Sequence, residues 1–546
     1  MREGHMTQPL IAEAPPGQIQ KSNRGWRFWG VLLTLYGANL LIALESSITS
    51  TALPVIVAEL HAGDNYVWIS NGYLLTTTAV LPFYGQVADV LGRRYPTIFA
   101  VASFVFGSGI CGAATSAAML IAGRVVQGLG AAGMQSMTLT IISDLVPVRE
   151  RAMHNGMLFA VFGIGAGIGP PLGGILSENG AWRWIFYMNL PIGGVTLILL
   201  FLMLQVTYTK KNTLAFIIRS IDWVGNAMLV IAMVLIMMAL SWADTRYPWS
   251  DWRIILLISL GFIGLACFHV YEASGIPRTP AIPSFVFGNR TSVVGMVLSF
   301  LQFLGTYWRI FFLPVYFQAV LLATPARAGV LILPTMLFSF PFALVSGALM
   351  TKLGRYVPIH FVGFALMSIS SGLYITLNRD SSMAQIVLYQ MLAGFGAGCL
   401  FPTVLPAIQA SHRQEDTGAV TAAWIFYRTF GSIWGVAIPA AIFNSRFSLL
   451  SAGIGDSRVR AALATGDAYA HVSSQFLSSL SDVTREEVVD AYLGTLKVIW
   501  QVCLAFNLLG LVMIFFEKEI PLQTTVESDY VIVEEAKQVD SERDAR

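Results

Sequence analysis

Fourteen apolar stretches, each long enough to cross a bilayer, follow one another along most of this chain. They fall at about residues 29–53, 66–88, 96–116, 118–143, 155–177, 184–206, 222–242, 253–272, 291–318, 327–350, 357–377, 384–408, 417–442 and 495–516. A spanning helix needs about 20 mostly apolar residues, and lipid offers no partner to an unpaired backbone N–H or C=O. The expectation is an all-α polytopic membrane protein with the lipid bilayer as its first partner. Composition agrees: 55% of the 546 residues are hydrophobic and 12% are charged, where soluble domains carry about 25% charge. The net charge of +2 is spread over loops, which gives a nucleic-acid partner no basic surface. Cys111, Cys267, Cys399 and Cys503 all lie in apolar runs and read as buried packing thiols, with no disulfide or metal framework. The first 25 residues are polar, so no cleavable signal peptide is expected and the first span serves for insertion.

Basic residues orient the spans. Lys21, Arg24, Arg27, Arg93, Arg94, Arg149, Arg151, Lys210, Lys211, Arg219, Arg278, Arg290, Lys352, Arg355 and Arg413 collect on one side. The other side's short loops hold Arg183, Arg246, Arg253, Arg327 and Arg379. Positive charge marks the cytoplasmic face, so both termini are expected inside. The sequon Asn289-Arg290-Thr291 then faces the cytoplasm and is expected to stay unmodified. The tail beyond about residue 520 is polar and acidic and reads as disordered. The segment 444–494 is long for a connection and falls on the outer face. Thr484-Arg485-Glu486-Glu487 has capping-box spacing, which predicts a helix start there. The apolar spacing around 459–463 and 469–480 predicts a segment lying along the outer membrane surface.

Glycines and charges inside the spans carry the chemistry. The run 165–174, GAGIGPPLGG, lies in the fifth span. Each glycine costs a helix about 1 kcal/mol relative to alanine, but small residues let membrane helices approach closely. The bond lost at Pro170 is one that neighbouring groups can repair. Arg124 opens Arg124-Val125-Val126-Gln127-Gly128-Leu129-Gly130 in the fourth span. A guanidinium there costs about 2.5 kcal/mol or more on insertion scales. It must face a partner or water, or snorkel to the interface. Glu45 is the only acid in the first span, nine residues before Pro54, hence about 13 Å from the outer end. Arg124 lies at similar depth on a helix running the opposite way. Desolvation and a cationic neighbour act on a carboxyl in opposite senses, so its protonation can follow conformation. A static ion pair that only aids packing is the alternative.

The loop 85–94, GQVADVLGRR, has Gly85 and Gly92 to permit a tight turn. Asp89 can accept hydrogen bonds from Arg93 or from helix ends of a facing half, with Arg94 alongside. This reads either as a conformational latch or as a solvated turn. The spacing recurs at Gly347, Thr351, Gly354 and Arg355, an internal repeat of the kind that builds transporter halves. Threonine replaces the acid there, so a latch would be asymmetric.

These motifs together resemble the major facilitator superfamily, in its fourteen-helix drug:proton antiporter branch, and in particular fungal toxin and multidrug efflux pumps. Gly165, Gly169, Pro170, Gly173 and Gly174 match that family's antiporter pattern G-x-x-x-G-P-x-x-G-G. Residues 85–94 resemble its loop between helices two and three, and Arg124 with Gln127 its R-x-x-Q-G-x-G. The run from Leu44 to Pro54 is similar to its first-helix motif, where aspartate is commoner than Glu45. Trp182-Arg183-Trp184-Ile185-Phe186-Tyr187-Met188-Asn189-Leu190-Pro191 resembles the junction of helices five and six and reads as interfacial anchoring. Ile221-Asp222-Trp223-Val224-Gly225 resembles the opening of the seventh helix, and Tyr427-Arg428-Thr429-Phe430-Gly431 the thirteenth-helix arginine. Arg309, where the family usually has an uncharged residue, reads as a site for an anionic substrate group or as a snorkelling side chain.

The resemblance implies a major facilitator fold of two six-helix bundles, 29–206 and 291–516. Two accessory helices within 207–290 separate them, and tails 1–28 and 517–546 lie in the cytoplasm. It implies a proton-coupled exporter of small amphipathic or hydrophobic organic molecules working by alternating access. Glu45 and Arg124 would couple the proton, and Arg309, Arg428 and Gln127 would serve substrate or gating. The plasma membrane is the expected location, with vacuolar or vesicular membranes as alternatives. No Gly-Lys dipeptide supplies a phosphate loop and no His-Glu pair a zinc-protease motif. Neither an enzyme nor a cofactor is expected. An uptake carrier and a siderophore exporter are the rival transport readings.

Overall fold

The computed structural model describes residues 25–60, 66–204, 221–243, 247–277, 279–463 and 474–523. Among them thirteen helices are long and apolar enough to cross a membrane, and a pair bent by 43° makes a fourteenth. In chain order they are α1 (Trp26–Glu59), α2 (the bent pair Tyr66–Ala79 and Leu81–Leu91), α3 (Arg94–Gly112), α4 (Ala117–Leu145), α5 (Val148–Glu178), α6 (Asn189–Met203) and α7 (Trp223–Trp242). They continue as α8 (Trp252–Ala273), α9 (Arg290–Ala319), α10 (Leu333–Leu353), α11 (Val357–Tyr374), α12 (Met383–Leu400), α13 (Thr417–Ser451) and α14 (Asp482–Ile514). Every expected span falls on one of them. Lys21, Arg24, Lys210, Lys211, Arg219, Arg246, Arg278, most of the expected N-terminal tail and 524–546 lie outside the described residues.

Several helix starts carry a side-chain cap. Ser116 Oγ accepts from Met119 N before α4, Asp222 from Gly225 N before α7, and Asn289 from Thr291 N before α9. The sequon asparagine is thus occupied as a cap. Pro82, in the first turn after Val80, lacks the N–H that would continue α2, and the helix bends there. Both copies of the repeated loop turn on a glycine with positive φ, Gly92 at 79° and Gly354 at 67°.

Packing divides the chain into two six-helix bundles, α1–α6 and α9–α14, joined through α5 against α10 and α2 against α13. The accessory pair bridges this seam. On one side Asn226 Nδ2 donates to Gln86 Oε1 (2.6 Å) and Asn71 Nδ2 to Ser241 Oγ (2.7 Å), tying α7 to α2. On the other, Phe262 stacks on Trp434 at 5.6 Å and Tyr427 Oη meets His269 Nε2 at 3.2 Å, tying α8 to α13.

One end of the bundle carries Arg93, Arg149, Arg151, Lys352, Arg355 and Arg413, and we call it the basic end. A single apolar core runs through both halves toward that end, including Tyr84 and Ile142 from the first and Val404 and Ile408 from the second. At the far end the cores separate. Ile48, Ile69, Leu120 and Trp182 cluster in the first half, and Trp308, Phe312, Phe443 and Tyr492 in the second.

Four details differ from expectation. The helix α13 continues to Ser451, so the segment 444–494 begins helical. The last helix starts at Asp482, because the extended backbone at Ser481 lets its Oγ receive Thr484 N at 3.3 Å, which makes Ser481 and not Thr484 the cap. Val459, Leu463 and Leu477 are buried in the second half's far core, so this segment seals the bundle instead of lying along a membrane; residues 469–473 of it lie outside the described set. Cys267 is exposed, unlike the other three cysteines, because it shares the outward face of α8 with Leu260, Ile263 and Val270.

Candidate functional site

Glu45 is fully buried in α1, and five helices converge on it. Arg124 Nη1 of α4 lies 2.5 Å from its Oε1. Asn189 Nδ2 of α6 donates to its Oε2 at 2.7 Å, and Thr49 Oγ1 to Oε1 at 3.1 Å. Arg124 also donates from Nη1 to Gln127 Oε1 (2.8 Å) and from Nε to the carbonyl of Ile69 in α2 (3.1 Å). Gln127 Nε2 continues to Ser108 Oγ of α3 at 2.8 Å. The ring of Tyr73 covers the guanidinium at 4.3 Å. Arg124 is 2% exposed, which excludes snorkelling.

A buried ion pair repays its desolvation only when the remaining donors and acceptors are also satisfied. This one is held by an amide, a hydroxyl, a backbone carbonyl and a ring face. The Glu45 carboxylate ties α1 directly to α4 and α6, and Arg124 and Gln127 extend the network to α2 and α3. Gln127, expected at a substrate or gating position, belongs to this network. Sequence places Asn189 in the anchoring junction motif and Thr49 in the first-helix run without a role at this site, and gives no reading of Ser108 or Tyr73. The signal for Asn189 was its amide inside a span, which needs a partner; the junction motif around it otherwise anchors, with Trp182 Nε1 and Arg183 Nη1 both donating to Glu59.

The glycine run packs α5 along the helix that carries Glu45. A Cβ on Gly165 would stand 2.8 Å from Ala43 Cβ, and one on Gly169 would overlap Ser47 Oγ, two residues past Glu45. Gly173 is buried and its carbonyl accepts from Ser177 Oγ at 2.7 Å. Pro170 and Gly174 lie within a continuous helix, and their surroundings are outside the described set.

At the basic end Arg93 links two acids, Asp89 Oδ1 at 2.7 Å and Asp144 Oδ2 at 2.8 Å. A Cβ on Gly85 would meet Ala422 Cβ at 2.8 Å, and one on Gly418 would meet Asp89 Oδ1 at 2.5 Å. The carboxylate of Asp89 therefore sits against the first turn of α13, where the helix dipole favours a negative charge. In the second copy Thr351 Oγ1 folds back to the Gly347 carbonyl, and Arg149 Nε of α5 donates to the Thr351 carbonyl at 2.9 Å. Arg94 is not brought to Asp89; it caps the end of α6 through the Phe201 carbonyl at 2.9 Å. Arg151 joins the halves by donating to Gln409 Oε1 (2.9 Å) and Gln414 Oε1 (2.7 Å), and Gln409 Nε2 returns to Ser143 Oγ at 2.8 Å.

Two buried arginines of the second half, Arg428 and Arg309, have no carboxylate partner among the described residues. Arg428 of α13 lies 4.6 Å from the Phe303 and Trp424 rings and 5.7 Å from Phe159 of the first half. Phe159 stacks on Phe401 at 5.1 Å across the seam. Arg309 of α9 is 1% exposed, which removes the snorkelling alternative.

The sequence profile described as Major Facilitator Superfamily matches residues 35–436. The chain belongs to that superfamily. It is 44% identical over 531 residues to the MFS-type transporter gkaD of Penicillium citrinum, covering 97% of this chain and 91% of that one. It is 42% identical over 520 residues to efflux pump FUS6 of Gibberella moniliformis, covering 95% and 92%. Among solved structures, the human organic anion transporter MFSD10 matches with TM-score 0.58 at 15% identity, covering 89% of this chain and 99% of that one. The proton:xylose symporter XylE matches with TM-score 0.58 at 13% identity, covering 91% and 98%. At such identities these two show the fold alone. The chain is a multi-pass membrane transporter of small molecules, similar to fungal efflux pumps.

Proposed function

We propose that this transporter exports small amphipathic or hydrophobic organic molecules in exchange for protons, with Glu45 as the proton carrier. The observation that carries the reading is the buried Glu45–Arg124 pair, in which the first span's only acid meets the fourth span's arginine at 2.5 Å. Protonating Glu45 would release Arg124 and Asn189 together and loosen α1 against α4 and α6. Export as the direction rests on the Gly165–Gly169 packing of α5 on α1 and on relatives that are themselves named efflux pumps.

On the positive-inside rule the basic end is cytoplasmic, and with an even number of spans both termini are on that side; export out of the cell would put the protein in the plasma membrane. The shared core and the Arg151–Gln409 contact would then describe a state closed to the cytoplasm, with far cores already separate. The seam around Arg428 is lined by Phe159, Phe303, Phe401 and Trp424, surfaces that suit loose recognition of apolar and aromatic cargo. Nucleic acid has no place in this reading.

Purified protein in liposomes with an imposed pH gradient tests it. Accumulation of a lipophilic dye that collapses with a protonophore is the expected outcome. Saturable movement of a sugar, with no effect of the gradient on any lipophilic compound, would overturn it.

A further inference from the structure

Arg309 lies midway along α9, and its Nε, Nη1 and Nη2 are all buried without a hydrogen-bond partner. Gly305, one turn earlier, brings the backbone close to this group: a Cβ there would stand 3.6 Å from Arg309 Nη1 and crowd Asn507 Oδ1 at 3.1 Å. Tyr374 of α11 and Cys503 of α14 belong to the same buried core as Leu304, Trp308 and Phe312, the residues that flank Arg309 on α9. The hydroxyl of Tyr374 and the amide oxygen of Asn507 are also buried without partners. The Asn507 amide nitrogen is fixed by donation to Ser371 Oγ at 2.8 Å. The cluster therefore offers five guanidinium N–H groups and a phenolic O–H against a single orphan acceptor. What it lacks is negative charge.

No side chain within the spans of this half can supply that charge. Between Arg290 and Ser451 the acids are Asp380, Glu415 and Asp416, all outside the spanning helices, and those of α14 end at Asp490, before its membrane portion. Glu517, past the end of α14, is taken up by His360 Nδ1 at 2.9 Å. A buried cation must be paired or neutralised, and at 1% exposure Arg309 cannot reach water by extending its side chain. We propose that the second bundle holds a monoanion of halide size, chloride in physiological solution, with Arg309 as its main ligand and Tyr374 Oη as a further donor. Size follows from enclosure. Trp308, Met367, Ser371, Tyr374, Cys503 and Asn507 are each 1% exposed or less, which leaves no way in for the carboxylate of a bulky cargo. The bound ion would lock α9 against α11 and α14. This inference stands on the second half alone and does not depend on proton coupling through Glu45.

The test uses the purified full chain. Equilibrium binding of radioactive chloride should saturate at one ion per chain, and the melting temperature should rise with chloride against gluconate at equal ionic strength. Arg309→Gln should lose both effects, while Arg309→Lys keeps them at weaker affinity and Arg428→Gln keeps them in full. Should Arg309→Gln fail to fold, competition on the wild-type protein decides: bromide should displace chloride and benzoate should not. Absence of saturable chloride binding, its persistence in a folded Arg309→Gln protein, or displacement by benzoate would each overturn the proposal.

Discussion

In the first half, Arg124 has a carboxylate, an amide oxygen and a backbone carbonyl around it. In the second half, Arg428 has three aromatic rings and Arg309 has no acceptor at all among the described residues. The two bundles share an architecture and a repeated loop, yet place their buried charge differently. A guanidinium paired with an acid can be switched by one proton. A guanidinium balanced by ring faces or by a bound ion stays charged and fixed. On the proposed reading the moving charge belongs to the first half and a static one to the second.

The largest effect that separates the halves concerns stability. Arg124→Ala leaves Glu45 buried without its cation, and losing one partner of a buried pair costs about 3–5 kcal/mol. Arg309→Met, measured in gluconate, removes a charge with no protein partner and should leave the melting temperature unchanged or higher. Thermal unfolding of both variants in detergent checks the contrast; equal loss in both would erase it.

Within the glycine run the expected effects are next in size. Gly169→Ala must push aside Ser47 and the backbone near Ile48, an overpacking cost of about 1–3 kcal/mol, and Gly169→Leu should abolish export without blocking insertion. A Cβ on Gly167 would meet nothing within 4 Å, so Gly167→Ala should be neutral or gain up to about 1 kcal/mol of helix propensity. Dye efflux and melting curves on the two alanine variants would show whether packing against α1, or glycine content as such, is what matters.

The latch should yield smaller changes. Asp89→Asn removes a partly exposed pair with Arg93, which in such settings contributes about 0.2–1 kcal/mol. Labelling of a cysteine placed at the seam of the basic end should speed up by a few fold. The equivalent change at Thr351, whose hydroxyl only folds back on its own helix, should leave labelling unaltered. Smallest is the far-end pair. Hydrogen bonds from Arg183 and then Trp182 hold the Glu59 carboxyl below the usual carboxylate range. Its contribution is present above the unfolded pKa, about 4.3, and fades as pH falls through the lowered folded value. Glu59→Gln should flatten only that acid limb of the melting curve.

The helices were legible because a span announces itself by length and composition, and Glu45 and Arg124 because charge in such a span is scarce. Depth arithmetic along two oppositely directed helices was enough to bring them together. Asn189 reads from sequence as part of an anchoring motif, and Ser108 carries no signal, because neutral polar residues are common in spans and only the three-dimensional convergence of α3 and α6 gives them a partner. Arg94 was grouped with the latch by sequence proximity, yet one residue along a helix turns a side chain about 100° away, toward Phe201. The far-end cap was misplaced because Ser481 and Thr484 offer the same hydroxyl three residues apart, and only backbone conformation decides which one caps.

On the proposed reading Glu45 carries the proton. A membrane potential of 100 mV contributes about 2.3 kcal/mol per charge and one pH unit about 1.4 kcal/mol, together enough for a gradient of roughly 500-fold in a neutral cargo. The direct measurement is uphill accumulation of a lipophilic dye by Glu45→Gln protein in liposomes with both gradients imposed. The folded variant should bind the dye and equilibrate it to a ratio near one, with no response to pH. Gradient-driven accumulation by the variant at anything close to the wild-type level would place the proton on another group.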